Sequence, residues 1–433
     1  MSFHSLGLDA QLLRNIESQG YTLTTPIQKQ TIPAILNGRD VVVLAQTGTG
    51  KTAAFVLPVL HRLLSGPRRR LRALIVGPTR ELAEQTKDVL LKLGAGTGLR
   101  HVTIYGGVGM QPQINGVRQG AEIAIACPGR LLDLLGRNKF TLDHVECLVL
   151  DEADRMFDMG FLPDIRKILK RLPAAHQTLL FSATMPDEIR KLAHEILRDP
   201  VTVQIAHSKP AETVDHALYP VEQGQKTALL VELLKTLGDG SVLVFTRTKQ
   251  RAKRLAAQLA AAGRRAASLQ GNLSQRQRQA ALDGFKSGRH QILVATDLAA
   301  RGIDVVDITH VINLDMPVTV DDYTHRIGRT GRAARTGDAF TFTTREDEGA
   351  VRAIERLLGF KIERRRLDGF DYSRAPAPLE AASHARAASR PHSQAPRTSA
   401  RPAGTRHGGH PGGKAARGKR SFGSVKAKRR FTR

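Results

Sequence analysis

Tryptophan is absent from this chain of 433 residues, and all aromatic residues together make up only 4% of it. Such a composition argues against a module that binds nucleic acid by stacking bases on aromatic side chains. Cysteine occurs only twice, at Cys127 and Cys147, which excludes a disulfide framework and fits no metal-site spacing. Both cysteines lie in apolar runs, so we expect two small buried side chains.

Long apolar runs are lacking as well. No stretch approaches the roughly 18 apolar residues that a membrane-spanning helix requires. The N-terminal sequence MSFHSLGLDAQLLRN has neither the basic region nor the apolar region of a signal peptide. We therefore expect a cytoplasmic protein that makes no contact with a membrane.

Positive charge is present in excess, since the formal net charge is +26. More than half of it lies in residues 373–433, where 15 Lys and Arg accompany one acid, Glu380. Apolar periodicity stops in this region and Ala, Arg, Pro, Gly, Ser and His dominate, which predicts a disordered basic tail over residues 371–433. The preferred partner of such a tail is nucleic acid. A solvated element that only aids solubility is the alternative.

Short apolar, β-branched runs alternate with helical patterns through the first 370 residues. The predicted strands are residues 41–45, 73–76, 102–105, 123–126, 147–150, 178–181, 241–245, 266–269, 291–295, 310–314 and 339–343. Alternation of this kind predicts α/β domains in which helices cover both faces of a parallel sheet. The pattern pauses over residues 198–226, which contain three prolines and only two short extended runs. This suits an inter-domain connection that divides the chain near residues 205–215.

A phosphate-binding loop is predicted where the sequence AQTGTGKT follows a strand and precedes a helix. Its residues are Ala45, Gln46, Thr47, Gly48, Thr49, Gly50, Lys51 and Thr52. The glycines let successive backbone N–H groups point at phosphate oxygens, and the following helix adds its positive N-terminal end. Lys51 would reach the β- and γ-phosphates of ATP, and the Thr52 hydroxyl would ligate Mg²⁺. Ala45 stands where such loops usually have a first glycine.

The sequence DEAD, Asp151 to Asp154, follows the predicted strand 147–150. The carboxyl edge of an open α/β sheet is where ligands bind. We expect Asp151 to hold Mg²⁺ through its hydration shell and Glu152 to orient and deprotonate the attacking water. Four letters alone would also fit a solvated acidic turn, but the strand and the upstream GKT favour the catalytic interpretation.

Together these motifs resemble the DEAD-box helicases of superfamily 2, and the resemblance extends over about residues 1–370. It implies two tandem RecA-like domains, an ATP-binding domain (31–207) and a C-terminal helicase domain (208–370). A Q-motif region (1–30) precedes them. In GYTLTTPIQ, Gln28 and Tyr21 would recognise adenine, with Phe3 as the upstream aromatic residue. The short termini and basic tail are most similar to the bacterial RhlE-like branch.

The same resemblance assigns the remaining site residues. Those that would hold the RNA backbone are Pro78, Thr79, Arg80, Gly107, Pro128, Gly129, Arg130, Arg247, Gly271 and Thr296. Those that would couple the ATP state to RNA affinity are Asp154, Ser182, Thr184 and His325. Arg329 and Arg332 would be arginine fingers, and Gly302 and Asp304 would contact the nucleotide. Arg326 has two interpretations, a functional group or a salt bridge across the cleft, and Cys127 replaces a threonine that contacts phosphate in the family.

The implied activity is ATP hydrolysis, stimulated by RNA, that unwinds short duplexes or remodels RNA–protein complexes. The RNA partner, single-stranded or duplex, would be bound largely without regard to sequence, by a protein that we expect to be monomeric. An ATP-controlled RNA clamp, a DNA helicase and an RNA chaperone that acts through its tail are the alternatives. Ribosome precursors and RNA-degradation machinery are two further possible partners, between which the sequence does not decide.

Overall fold

The structure is a computed structural model in which part of the chain is described. The described residues are 1–45, 48–205, 214–300, 308–331 and 336–373, without the side chain of Leu298. The predicted disordered tail therefore lies outside the described residues, apart from its first three positions.

The first domain is built on a sheet of seven parallel strands. They are β1 (Val41–Leu44), β2 (Ala73–Val76), β3 (His101–Ile104), β4 (Ile123–Ala126), β5 (Cys147–Leu150), β6 (Gln177–Ser182) and β7 (Val201–Gln204). Their order is β3-β4-β2-β5-β6-β1-β7, and every pairing is parallel. The helices of this domain are α1 (Ala10–Ser18), α2 (Pro26–Leu36), α3 (Lys51–Leu64), α4 (Arg80–Leu93), α5 (Met110–Arg118), α6 (Pro128–Gly136), α7 (Ala153–Asp158), α8 (Leu162–Leu169) and α9 (Asp187–Ile196).

The second domain repeats this plan with another seven parallel strands. They are β8 (Val214–Pro220), β9 (Ser241–Phe245), β10 (Ala266–Leu269), β11 (Ile292–Ala295), β12 (Ile308–Asn313), β13 (Gly337–Thr343) and β14 (Glu363–Arg364). Their order is β10-β11-β9-β12-β13-β8-β14. Its helices are α10 (Lys226–Thr236), α11 (Lys249–Ala261), α12 (Gln275–Lys286), α13 (Asp297–Ala300), α14 (Val320–Ile327) and α15 (Glu348–Leu358).

Alternate residues of each central strand pack into different hydrophobic clusters on the two sides of the sheet. In β2, Ile75 packs among the residues under α2 and α3, whereas Leu74 packs under α6 and α8. In β9, Val244 and Leu243 face opposite clusters in the same way. Burial of both faces explains why the strands are almost continuously apolar. The predicted pair of RecA-like α/β domains is thereby confirmed, and no described helix is long and apolar enough to span a bilayer.

The region predicted as an inter-domain connection, residues 198–226, contains two strands of the sheets. β7 pairs with β1 of the first sheet, and β8 pairs with β13 of the second. These strands account for the two short extended runs of this region, and they lie on either side of the predicted division near residues 205–215. The sequence signal was weak because β7 alternates between buried and exposed positions and lies at the sheet edge. Residues 206–213, between them, lie outside the described residues.

Candidate functional site

The predicted phosphate loop joins the end of β1 to the start of α3. Gly48 and Gly50 have φ angles of +90° and +93°, a region that residues with a Cβ rarely adopt. Among the described residues, no side chain caps the N-terminus of α3, which leaves its N–H groups open to an anion. Lys51 is buried and its Nζ donates to the Ala45 carbonyl at 2.9 Å. Loop, helix and lysine thus fit a triphosphate, while Gln46 and Thr47 lie outside the described residues.

Gln28 packs directly against this loop. Its Nε2 donates to the Gly50 carbonyl at 3.3 Å, and its Oε1 accepts from the Thr25 N–H at 2.9 Å. A Cβ at position 50 would lie 2.6 Å from Gln28 Nε2 and would displace that side chain, so this contact and the positive φ both favour glycine there. Tyr21 is 44% exposed and its ring stacks on that of Phe3, with 6.5 Å between the centroids. The predicted adenine residues therefore include one in contact with the phosphate loop.

The first two residues of the DEAD sequence lie at the carboxyl end of β5. Burial raises the pKa of Asp151 to about 7, although the nearby Lys51 opposes that rise. Glu152 has a φ of +54°, a strained conformation for a residue with a side chain. Its Oε2 accepts from Arg155 Nη1 at 2.8 Å, and both side chains are buried. The two carboxyl groups thus have different surroundings, one beside a lysine and one paired with an arginine.

Asp154 connects the DEAD sequence to the sequence SAT at the end of β6. Its Oδ2 accepts from the Thr184 N–H at 2.8 Å and from the Thr184 hydroxyl at 3.1 Å. Its own N–H donates to Ser182 Oγ at 3.1 Å. Burial would raise the pKa of Asp154, but Lys51 and the Thr184 N–H outweigh it and the pKa is lowered. Three of the four predicted coupling residues are therefore in direct contact.

The second domain meets this site through α14. Arg155 of the first domain lines one narrow cavity together with His325 and Arg329 of the second. Burial, and next the charge of Arg155, lower the pKa of His325. Arg329 is 4% exposed, and its Nε donates to the His325 carbonyl at 3.4 Å. Arg332, Gly302 and Asp304 lie outside the described residues.

Arg326, for which two interpretations were open, forms its salt bridge within the second domain. Its guanidinium lies 2.5 and 2.7 Å from the two carboxylate oxygens of Asp297. Nη1 also donates to Asn313 Oδ1 at 3.0 Å and to the Asp315 carbonyl at 2.8 Å. The side chain is 3% exposed. The ion pair therefore joins elements of one domain and does not cross the cleft.

The predicted RNA-binding residues follow neighbouring strands in both sheets. In the first domain they follow β2, β4 and β3: Pro78, Thr79 and Arg80; Pro128, Gly129 and Arg130; and Gly107. In the second domain they follow β9, β10 and β11: Arg247, Gly271 and Thr296. Because the strands are parallel, each group gathers at the carboxyl edge of its sheet. The fold thus brings together segments that are far apart in the sequence.

Close contacts fix two of these loops. Gly107 has a φ of +81°, which a side chain would strain, and a Cβ there would lie 2.1 Å from Arg80 Nη1 and displace that guanidinium. Arg130 Nη1 donates to the Val108 carbonyl at 3.1 Å.

Cys127 occupies the N-cap position of α6 and makes no capping hydrogen bond there. Burial raises the pKa of its thiol to about 12, so a thiolate is disfavoured at this position.

Two connections were missed by reasoning from the sequence. Glu81, in the sequence PTRELA, pairs across the domains with Arg278, in the sequence QRQR, at 2.6 Å. Asp315 accepts from the Arg247 N–H at 2.8 Å and pairs with Arg251 at 3.0 Å. Glu81, Arg278 and Asp315 are buried. Only the folded chain shows which opposite charge each of them meets.

A P-loop ATPase site beside two RecA-like sheets defines the class of the protein as a two-domain nucleotide hydrolase. The DEAD/DEAH box helicase family matches residues 25–192, and the helicase conserved C-terminal domain matches residues 225–334. The DEAD-box ATP-dependent RNA helicase CshA of Geobacillus kaustophilus is 43% identical over 364 residues, 84% of this chain and 78% of that protein. The CshA of Limosilactobacillus reuteri is 44% identical over 84% of this chain and 73% of its own length. The chain belongs to the DEAD-box RNA helicase family.

Solved structures agree with this assignment. Saccharomyces cerevisiae Dbp5 bound to RNA and ADP BeF3 has a TM-score of 0.76 and 31% identity, over 84% of this chain and 95% of that one. Mss116p bound to ssRNA and AMP-PNP has a TM-score of 0.77 and 28% identity, over 84% and 78%. The resemblance to the family is thus confirmed. The named relatives are CshA helicases, so the RhlE-like branch stays a prediction.

Proposed function

We propose that this chain is an ATP-dependent RNA helicase whose two domains together form the site that hydrolyses ATP. The observation that carries the proposal is the narrow cavity in which Arg155 of the first domain meets His325 and Arg329 of the second. Residues needed for phosphoryl transfer thus come from both domains, so hydrolysis requires that the domains meet. RNA that contacts both carboxyl edges favours that arrangement and thereby stimulates hydrolysis.

ATP is held by the first domain. Lys51 and the N–H groups at the start of α3 bind the β- and γ-phosphates. Thr52 and Asp151 would hold Mg²⁺, which would neutralise charge on the phosphates when bound. This pair suits Mg²⁺ because that ion keeps several waters and takes few protein ligands. Among the described residues no cluster of three acids, histidines or cysteines would form a complete cage.

Glu152 acts as the general base. It accepts a proton from water as the water oxygen bonds to the γ-phosphorus and the bond to the β–γ bridging oxygen breaks. Arg155, paired with Glu152 at 2.8 Å, holds the carboxylate in place. Arg329, with Arg332, stabilises the charge of the transition state, a contribution worth roughly 10³–10⁵ in rate in comparable systems.

Asp154, Ser182, Thr184 and His325 transmit the state of the ATP site. Asp154 is hydrogen-bonded to Thr184 and Ser182, and the carbonyl of Thr184 accepts from Ser182 Oγ at 2.7 Å. His325 approaches the same acid from the second domain, and the charge of Asp154 partly opposes the lowering of the His325 pKa. A change in domain contact therefore reaches the carboxyl end of β6.

RNA is gripped by its sugar–phosphate backbone. Exposed Arg247 and the loops that contain Arg80 and Arg130 present cations and backbone groups at the two carboxyl edges. Contacts of this kind carry little sequence information and make affinity strongly dependent on salt. Preference for RNA over DNA would come from contacts to the 2′-hydroxyl groups. We also infer that the protein acts in the cytoplasm, where it meets such RNA.

Duplex release tests unwinding against the alternative of an ATP-controlled clamp. A labelled short duplex is mixed with the protein and either ATP or a non-hydrolysable analogue. A helicase releases strands repeatedly with ATP, whereas a clamp would keep its RNA for hours and need hydrolysis only for recycling.

The DNA-helicase alternative is tested by comparing how strongly matched RNA and DNA strands stimulate ATP hydrolysis. Remodelling that survives Lys51→Ala would instead favour a chaperone that acts through its tail.

A further inference from the structure

The carboxyl edge of the second sheet continues beyond the predicted RNA-binding residues. Gly271, Thr296 and Arg247 follow the neighbouring strands β10, β11 and β9. On the other side of β12 lie β13, β8 and β14, which run parallel to the same strands. The residues that follow these three strands therefore reach the same edge of the sheet.

A groove with a volume of about 420 Å³ opens at this continuation. Its walls are residues 220–222 after β8, residues 343–345 after β13, the first turns of α15 and the segment from Arg364 to Tyr372. This volume is in the range of sites that bind small ligands or segments of a larger one. We call it the second-domain groove.

Positive charge predominates in the second-domain groove. Its charged lining residues are Arg345, Arg352, Arg364, Arg366, Glu222 and Glu348. Arg352 is paired with Glu348 at 3.1 Å, and Arg364 is paired with Glu355 on α15. Within the described part of the chain, the guanidinium groups of Arg345 and Arg366 have no acidic partner. Two arginines are thus available to an anion.

One of these arginines lies over an aromatic ring. The Arg366 guanidinium lies 4.4 Å from the centroid of the Tyr372 ring. The Tyr372 hydroxyl accepts from the Leu367 N–H at 2.9 Å, and the Tyr372 backbone carbonyl accepts from Gln225 Nε2 at 3.2 Å. These bonds fix the position of the ring over which the guanidinium lies. Arginine planes and aromatic rings are the surfaces on which unpaired bases stack.

We propose that the second-domain groove binds single-stranded RNA where the strand extends beyond the core site. Arg345 binds its phosphates, and the pair of Arg366 and Tyr372 receives a base. Neighbouring strands of a sheet lie about 4.8 Å apart, so the ends of β13 and β8 are only about 10–15 Å from the end of β9. A strand held at Arg247 can therefore reach the groove. An acidic peptide is the other class of ligand, but the contact of Arg366 with the Tyr372 ring and the groove's continuity with the RNA edge favour RNA.

Binding of short and extended RNA to the full chain tests this proposal, which rests on the proposed function. Arg345→Ala, Arg366→Ala and the double variant are compared with Arg356→Ala, an exposed arginine of α15 outside the groove. The probes are a labelled oligouridylate that fills only the core site and two longer ones, extended at either the 5′ or the 3′ end. We expect each groove substitution to weaken binding of one extended strand by about two- to fivefold, the range of an exposed ion pair. Short RNA and the Arg356 control should be unaffected.

The salt dependence gives a second readout. Loss of one phosphate contact should reduce the slope of log affinity against log salt by about 0.7. Equal affinity of wild type and the double variant for all three strands would overturn the proposal. A wild-type chain that fails to bind even the short strand would instead contradict the proposed function.

Photo-crosslinking locates the contact independently of affinity. A 4-thiouridine in the extension should crosslink to peptides that contain residues 343–352 or 364–373. Crosslinks confined to other segments would overturn the proposal. So would an oligoglutamate peptide whose binding, unlike that of RNA, is lost in the double variant, because the groove would then be a docking site for protein.

Discussion

Glu81→Gln removes one charge of the ion pair that joins the two domains. Glu81 Oε1 and Arg278 Nε are 2.6 Å apart, and their side chains are only 4% and 9% exposed. Removal of one partner from a buried pair costs about 3–5 kcal/mol, because the other charge stays buried without compensation. When the domains separate, both charges return to water. The cost therefore falls on the arrangement in which the domains meet.

A cost of this size would change the equilibrium between separated and joined domains by about 10²–10⁴-fold. Two hydrogen bonds from Arg278, to the carbonyls of Gln270 and Ala299 at 3.3 Å each, partly solvate its charge, so we expect the lower end. The RNA concentration that half-saturates ATP hydrolysis should rise accordingly in Glu81→Gln. Glu232→Gln is the matched control, since it breaks an exposed pair with Lys235 that is worth less than about 1 kcal/mol.

The double variant Glu81→Gln/Arg278→Met completes the test. With both charges removed, no charge is buried without a partner, so the double variant should be less impaired than the two single effects added together. Effects that simply add, or a Glu81→Gln variant no worse than Glu232→Gln, would refute the reasoning.

Three further predictions concern other parts of the molecule. Glu152→Gln should slow hydrolysis by about 10²–10⁴-fold while ATP and RNA still bind, because only the general base is lost; steady-state turnover and RNA binding measured together check this, and near-normal turnover would contradict it. Since burial raises the pKa of Asp151 from 3.8 to about 7, the folded nucleotide-free protein binds more protons than the unfolded chain between these values, and its free energy of unfolding should fall as pH rises through that window. Asp151→Asn should remove this contribution in urea titrations, and an unchanged pH dependence would speak against a raised pKa. Deletion of residues 375–433 should weaken RNA binding at low salt but leave ATP turnover at saturating RNA nearly intact, and equal affinity for structured RNA would exclude the tail as a tether.

The central strands could be predicted from the sequence because they are buried on both faces. Residues 73–76, 123–126 and 147–150 are continuous apolar runs, and their strands begin and end where the runs do. The edge strand β14 could not be predicted in this way. β14 consists of Glu363 and Arg364, both exposed, and it exists only because β8 offers an open edge.

The site likewise has residues that could be predicted from local sequence and contacts that could not. Loop residues such as Lys51 and Asp151 were identified because strand, motif and helix adjoin in the sequence. The partners that orient them are set by tertiary structure. Glu81 and Arg278 are 197 residues apart, and Asp315 meets Arg247 only because β12 and β9 are neighbours. No local sequence pattern identifies such pairs. They can be identified only once the strand order of the fold is known.

RNA-stimulated ATP hydrolysis by wild type, Lys51→Ala and Arg329→Ala tests the central claim most directly. Wild-type turnover should rise several-fold or more on addition of single-stranded RNA. Lys51→Ala should lose hydrolysis altogether because the phosphates are no longer held, and Arg329→Ala should bind ATP and RNA but lose stimulation. Wild-type hydrolysis that no RNA stimulates, or full stimulation without Arg329, would contradict a site formed by both domains.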